Sequence, residues 1–413
     1  MLVPFLPPPR NAAVDELLGE IPRELFSERL YQACELVERY VSDWTVTIAQ
    51  RLGLEPDLAQ GTSVAAILRS RSLPDQRSPA LSWLLARLAA AGHVARSDRP
   101  NSPDGEAGTV YRLTRALPVP ELDELRTLGL VIDPAIASTL AILDTAGEAF
   151  PRVLAGALTG EQALFTGASM QLWIQYFHNA NPIYALNNRF AAIAAANRLP
   201  ASGAGLRILE VGAGAGSAAE ALLDELERRG RLSEVAEYRL TEPNPMLRRR
   251  ASRTLAARFP GLALVDQAYD IDLDPAGQGL PAAGFDLVFA VNVLHIARDL
   301  RASLAWLRSL LGPGGWLVGG ECQRLFPGQT IPIELIFEQL ASFTDVALDP
   351  EVRSSHGFLT PEQWKRAFAA TGFTELAEVP DLERIRDHYP RFFSGAICAR
   401  RPTTEGSSSP QGA

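Results

Sequence analysis

Lysine is almost missing from this 413-residue chain; Lys365 is the only one. The other basic side chains are arginines, which together with the abundance of alanine reads as genome composition and carries no mechanism. Acidic residues outnumber basic ones, 48 to 39, for a net charge of −9. Nucleic-acid binding is dominated by phosphate neutralisation, so so negative a chain is not expected to have a general nucleic-acid partner. Cysteine is scarce as well. Cys34, Cys322 and Cys398 are odd in number, far apart and form no Cys-x-x-Cys pair, which argues against a zinc site or a disulfide framework. No apolar run reaches the about 20 residues that cross a bilayer, so no membrane partner is expected. The opening Met1-Leu-Val-Pro-Phe-Leu-Pro-Pro-Pro-Arg10 lacks the basic start and long apolar centre of a signal peptide, and the cytoplasm is the default expectation. Internal repeats are also missing. What is present in quantity is hydrophobic side chain, 47% of the residues, at a length that suggests two domains.

One stretch organises the rest: Arg207-Ile-Leu-Glu-Val-Gly-Ala-Gly-Ala-Gly-Ser217. Residues 207–211 read as a short buried parallel strand, and residues 217–229 as a helix. Between them Gly212, Gly214 and Gly216 allow a sharp turn and a close approach to a ligand, because no Cβ intervenes. The amide groups at the start of the following helix suit a negative ligand group. The spacing is Gly-x-Gly-x-Gly and departs from the Gly-x-Gly-x-x-Gly of dinucleotide binding. Glu210, two residues before the first glycine, can hold an amino group. An amino-acid-bearing nucleoside, S-adenosylmethionine, therefore fits better than NAD. A plain tight βα turn is the alternative.

In chain order, residues 1–22 are proline-rich and read as a wrapping or loose segment. Helices are expected over 25–52, 64–69 and 79–91, followed by two strand-like runs, from Gly92 and from Thr109, across a polar loop at 98–108. Three helices and a hairpin, over about 25–115, resemble a winged helix. In so acidic a chain this part is expected to pack, to dimerise or to help roof an active site rather than to read DNA. More helix follows to residue 158, including 136–150. Residues 170–190 are rich in aromatic and amide side chains, and Tyr176 and Tyr184 are candidates to line a substrate pocket or, equally, to fill a core. From residue 206 strands alternate with helices, the pattern of a parallel α/β sheet. Strands are expected at 207–211, 237–241, 262–266, 285–290, 315–320, 375–379 and 393–400, with helices at 300–311 and 360–371. An insertion, 322–356, reads as a helical lid with a helix over 332–343. Its apolar side chains, Phe326 among them, either meet a substrate chain or form a satellite core. Residues 403–413 read as a disordered tail. The division is thus a mainly helical N-terminal domain, 1–165, and an α/β domain, 166–402.

In doubly wound sheets ligands sit beyond the carboxyl ends of the strands. Those ends carry Glu210 with the glycines, then Glu242, suited to both ribose hydroxyls, then Asp270 and Ile271, where Asp270 can accept from an adenine amino group. Asn292 and His295 follow the fourth strand, and Glu321 the fifth. Any one of these acids could be a helix cap. Polar residues at five strand ends on one edge are better explained by a ligand.

Two segments carry a resemblance: Phe285-Asp-Leu-Val-Phe-Ala-Val-Asn-Val-Leu-His-Ile-Ala-Arg-Asp-Leu300 and Leu310-Leu-Gly-Pro-Gly-Gly-Trp-Leu-Val-Gly-Gly-Glu321, with Asp270-Ile-Asp-Leu-Asp-Pro-Ala-Gly-Gln-Gly279 beside them. Over roughly 150–373 the chain resembles class I S-adenosylmethionine-dependent methyltransferases, and more closely the C-methyltransferase domains of polyketide synthases. The resemblance implies a Rossmann-like, seven-stranded sheet and a His–Glu pair, His295 and Glu321, acting on a β-ketoacyl thioester held by an acyl carrier protein. The residues themselves agree. Imidazole is a suitable base near neutral pH, and a carboxylate behind it fixes its tautomer; no metal is called for. Arg248–Arg250 and Arg353 are candidates for a patch receiving an acidic carrier. The first 120 residues match weakly, and their hairpin also resembles that of small-molecule O-methyltransferases. That keeps O-methylation by a homodimer as the alternative.

Overall fold

Ser27 sets the start of the first long helix: its hydroxyl accepts from the Leu30 amide at 3.3 Å, and the helix runs Glu28–Arg51. Periodicity placed that start at Leu25, but Pro22 leads Arg23–Phe26 into a separate 3-10 turn. The computed structural model describes residues 7–99, 108–167, 169–200 and 205–403. Most of the expected loop at 98–108 and of the tail from 403 lies outside them. Strand β1 (Thr62–Ser63) precedes helices Val64–Ser70 and Ser78–Ala90, and β2 (Val94–Arg99) and β3 (Gly108–Leu113) follow. They form a three-stranded antiparallel sheet in the order β1-β3-β2.

The large sheet holds β4 (Leu206–Val211), β5 (Val235–Thr241), β6 (Leu264–Gln267), β7 (Phe285–Val291), β8 (Leu311–Cys322), β9 (Thr374–Val379) and β10 (Ser394–Arg400). Its order is β6-β5-β4-β7-β8-β10-β9; the first five strands are parallel, and β10 is antiparallel to both neighbours. The near-continuous apolar character of β4 and β7 follows from helices on both faces. Ile208, Phe289 and Val318 face helices Pro182–Arg198 and Ser217–Arg228, whereas Leu209, Val288 and Leu317 face Leu300–Leu310 and Pro361–Ala370. Gly320 permits the first of these packings: a Cβ there would lie 2.8 Å from the carbonyl oxygen of Asn187.

The two expected domains interpenetrate. Val14, Leu18, Ile21 and Phe26 join the core of the α/β domain, and Glu35 forms a bidentate ion pair with Arg391 at 2.7 Å. In return the insertion after β8 gives Ile331, Leu335, Ile336 and Phe343 to the core of the N-terminal helices, beside Tyr40, Trp83 and Phe150. The insertion is therefore wedged rather than free, and its single expected helix is two short turns, Glu334–Phe337 and Ala341–Thr344. Leu340 is extended between them (φ −99°, ψ 132°), which breaks the run. Among the described residues no helix is long and apolar enough to cross a membrane.

A buried carboxylate pins the wedge. Glu334 accepts from Trp83 Nε1 (3.0 Å), from Arg324 Nε and Nη2 (3.0 and 2.7 Å) and from the Ile331 amide (2.8 Å). Removing one partner of such a pair strands the other charge in the interior. Glu334→Ala is expected to lose about 3–5 kcal/mol of stability in urea unfolding, with Glu334→Gln losing less. Equal stability of all three proteins would show that this network does not hold the insertion.

Candidate active site

Strands β7 and β8 are parallel neighbours with Val291 opposite Gly320, so the residues that follow emerge together at one edge. Asn292 there takes a left-handed conformation (φ +52°), which asparagine tolerates better than most residues. Its amide donates to Gly320 O at 2.7 Å, and its Oδ1 accepts from the Cys322 amide at 3.2 Å. The chain then turns through a 3-10 turn, Leu294–Ile296, that carries His295. Glu321, at the end of β8, is 0% exposed. Its Oε1 accepts from the Val293 and Leu294 amides (3.1 and 2.8 Å), and its Oε2 lies 2.6 Å from His295 Nδ1. With Nδ1–H donated to Glu321, the lone pair of the ring belongs to Nε2. The imidazole packs between Phe343 and Phe358, at centroid distances of 5.8 and 4.5 Å.

His295 lines a cavity of ≈ 310 Å³ that brings it together with Asn292, Gly212, Gly214, Tyr176 and Tyr184. Gly212 (φ +67°) also abuts the dyad's turn, since a Cβ there would meet Val293 at 2.4 Å. Burial raises both tyrosine hydroxyls above their ordinary range. Glu210, Glu242 and Gly216 stand around the glycine turn without lining this cavity. Glu242 Oε2 accepts from the Gly214 amide at 3.0 Å and its Oε1 from the Asn244 amide at 2.8 Å, so the carboxylate holds the turn in shape. Gly216 (φ +91°) starts helix Ser217–Arg228. Asp270 and Ile271 lie outside the cavity. Asp270 is exposed with its Oδ1 on the Asp272 amide, and the Ile271 carbonyl accepts from Ser303 Oγ at 3.0 Å.

Two expected positions are corrected. Phe326 is 47% exposed and does not line the cavity: Gln329 Oε1 accepts from the Leu325 amide, so Leu325 takes the buried place and Phe326 turns outward. Arg353 belongs to no surface patch. It is wholly buried, donating to the carbonyls of His295 and Ala297. Arg249 and Arg250 are exposed, whereas Arg248 donates to the Glu242 carbonyl at 2.6 Å. Periodicity and motif spacing also missed Phe343, Phe358, Cys34 and Asn187 as cavity residues. Asn187 had one signal, its place in the amide-rich stretch before the sheet; for Cys34 on the first long helix, spacing offered none.

Residues 209–317 match the family described as a methyltransferase domain. The reducing polyketide synthase Preu2 of Preussia isomera is 27% identical over 264 residues, 63% of this chain and 10% of that protein. The methyltransferase calH of Penicillium decumbens is 32% identical over 207 residues, 50% of this chain and 52% of that protein. The chain thus spans only a tenth to a half of the length of these curated relatives. Among solved structures, the CurJ carbon methyltransferase superposes with a TM-score of 0.73 at 23% identity, covering 94% of this chain and 96% of that one. The CalH trans-methyltransferase, in complex with S-adenosylhomocysteine (SAH), gives a TM-score of 0.60 at 20% identity, covering 89% and 90%. Residues 209–317 thus carry a methyltransferase domain, whose methyl donor is S-adenosylmethionine. The fold of the chain, front part included, is similar to that of the CurJ and DszA carbon methyltransferases and of the citrinin polyketide synthase CMeT domain.

The residues present fit that cofactor. Glu210 shares a sheet face with Ile208, the face covered by helix Pro182–Arg198. Glu210 Oε1, and on that helix Asn187 Oδ1 and Asn188 Oδ1, are buried acceptors without a partner, although Tyr238 donates to Glu210 Oε2 at 3.1 Å. Unanswered buried acceptors are costly, and a cationic amino group would answer that of Glu210. At Gly214 nothing lies within 4 Å of where a Cβ would stand, which leaves room against the backbone. Burial pushes the Glu210 carboxyl from its ordinary 4.5 up to about 8. That raised value favours the protonated carboxyl in the free fold, a contribution present at low pH and lost as pH climbs from 4.5 through about 8. An amino group would instead need the carboxylate. SAH binding measured by calorimetry should therefore release a proton near neutral pH and tighten toward pH 8, and Glu210→Gln should weaken it and flatten the pH dependence. A pH-independent wild type would remove Glu210 from the binding site.

Proposed function

We propose that the chain is a C-methyltransferase acting on the α-carbon of a β-ketoacyl thioester presented by an acyl carrier protein. The observation that carries this reading is the buried His295–Glu321 pair facing an apolar cavity beside the glycine turn. Deprotonation between two carbonyls needs a base whose lone pair is aimed and dry. Glu321 holds Nδ1–H, which leaves Nε2 as the acceptor, and its other oxygen is fixed by two backbone amides. The carbon–hydrogen bond breaks, the proton goes to Nε2, and the electron pair stays on the substrate, delocalised onto the carbonyl oxygens. Glu321 then faces a full imidazolium, which its charge stabilises. S-adenosylmethionine, when bound, supplies a methyl group already activated by a sulfonium charge. Glu210, Asn187 and Asn188 would hold its amino acid end, and Glu242 its ribose.

The walls also suit this substrate. Ile333, Phe337, Phe343 and Phe358 give the cavity an apolar side where an acyl chain is held by shape and where water cannot protonate a carbanion. Tyr184, whose hydroxyl pairs with the Asn292 side chain, and Tyr176 are among its polar exceptions.

The test is methyl transfer from labelled S-adenosylmethionine to a short β-ketoacyl thioester, with products read by mass and NMR. Wild type should label the α-carbon. His295→Ala should lose on the order of 10²–10⁴ in rate, the usual weight of general base catalysis, with Glu321→Gln also impaired. Undiminished transfer by His295→Ala would remove the base assignment. Label found only on a hydroxyl acceptor would replace carbon methylation with oxygen methylation.

A further inference from the structure

Among the described residues Arg353 is the one buried cation in contact with the dyad's turn, and nothing in the proposed chemistry uses it. A buried arginine is costly unless its donors are answered. Here Nη1 donates to Ala297 O at 2.5 Å and Nη2 to His295 O, while Nε has no partner. Glu321 and Asp272 are near enough for their charges to favour the guanidinium, but burial outweighs them and pushes Arg353 down to about 10. Asp272 accepts instead from the Arg298 amide at 2.7 Å. For filling space, an apolar side chain would serve. What a guanidinium adds is a rigid pair of donors that reach two carbonyls at once. Those carbonyls belong to the short 3-10 turn that carries the imidazole and to the residue that ends it.

The segment bearing Arg353 is itself tied down. Arg353 and Asp349 exchange backbone hydrogen bonds (2.7 and 2.9 Å), Asp349 takes Arg301 at 2.9 and 2.7 Å, and Ala347 N donates to Arg298 O at 2.8 Å. Residues 347–353 thus run as a strap along 295–301. The same insertion is anchored at its other end in the N-terminal domain, where Gln339 Nε2 donates to Ala146 O and Glu161 accepts from the Ala341 amide.

We propose that Arg353 is a positioning residue: it clamps the backbone at His295 and just after it so that Nδ1 stays on Glu321 and Nε2 faces the cavity, and through the insertion it ties the placement of the base to the N-terminal domain. This rests on His295 being the base. A displacement of about 1 Å at a reacting group can cost on the order of 10² in rate, so the clamp should show in turnover and not in binding.

The experiment compares Arg353→Met, Arg353→Gln and Arg353→Lys with wild type. Three quantities are read: kcat and KM for a β-ketoacyl thioester, SAH affinity by calorimetry, and the far-downfield proton NMR resonance of the His295 Nδ1–H, assigned by its disappearance in His295→Ala. Arg353→Met and Arg353→Gln should lose about 10² in kcat, keep KM and SAH affinity, and lose or shift the resonance. Arg353→Lys, with its point charge and without the fork, should recover part of both. Should the neutral variants fail to fold, Arg353→Lys decides alone: wild-type kcat together with a wild-type resonance in it overturns the proposal. So does a loss of kcat matched by an equal loss of SAH affinity in any folded variant, which would mark a general structural role. If His295→Ala itself turns over normally, the base reading falls, and the resonance in the Arg353 variants still reports whether the clamp exists.

Discussion

A carboxylate can be buried completely only if its lone pairs are answered, and Glu321 meets that condition with two backbone amides and one imidazole. Much of the surrounding structure can be read as its consequence. The two amides point at Glu321 because the chain turns at Asn292, in a conformation few residues accept. They come within reach because β7 and β8 are parallel neighbours in matched register. The helix across that sheet comes close enough to close the cavity because residue 320 has no side chain. The imidazole is the one member of the group that faces open space, and so the only one free to do chemistry.

The second constraint is apolar. Neither domain buries its own surface completely. The first described residues fill the core of the α/β domain, and the insertion from the α/β domain fills the core of the N-terminal helices. This exchange places Phe343 and Phe358 against His295 and brings Cys34 and Val37 of the first long helix to the cavity wall. The cavity is thus a joint product of both parts of the chain. A cofactor groove alone needs only the sheet edge; an enclosed space over His295 needs the N-terminal domain as well.

Much of the sheet was legible because local chemistry speaks for itself there. β4 and β7 are continuous apolar runs, the glycine turn has a fixed spacing, and Thr360 with Pro361 and Gln363 makes a capping box that starts a helix where the residues indicate. His295 and Glu321 could be paired because strand ends in a parallel sheet share an edge. Errors arose where long-range packing overrode local pattern. The apolar run at 332–343 has helical spacing, but its residues are shared between two cores and the backbone extends at Leu340 to serve both. Phe326 and Arg353 were read by residue type, an aromatic as buried and an arginine as exposed; backbone hydrogen bonding reversed both.

By itself the sequence determined the class of sheet, the glycine turn and the identity of the residues that follow its strand ends, because these depend on period, turn geometry and strand direction, all of which act over a few residues. Only the tertiary structure decided which of those residues line the cavity, that Glu210, Asn187 and Asn188 each keep a buried acceptor unanswered, and that a distant arginine grips the turn that carries His295. Those facts depend on which surfaces meet across more than a hundred residues of chain, and burial there is settled by the competition of whole elements for the same core.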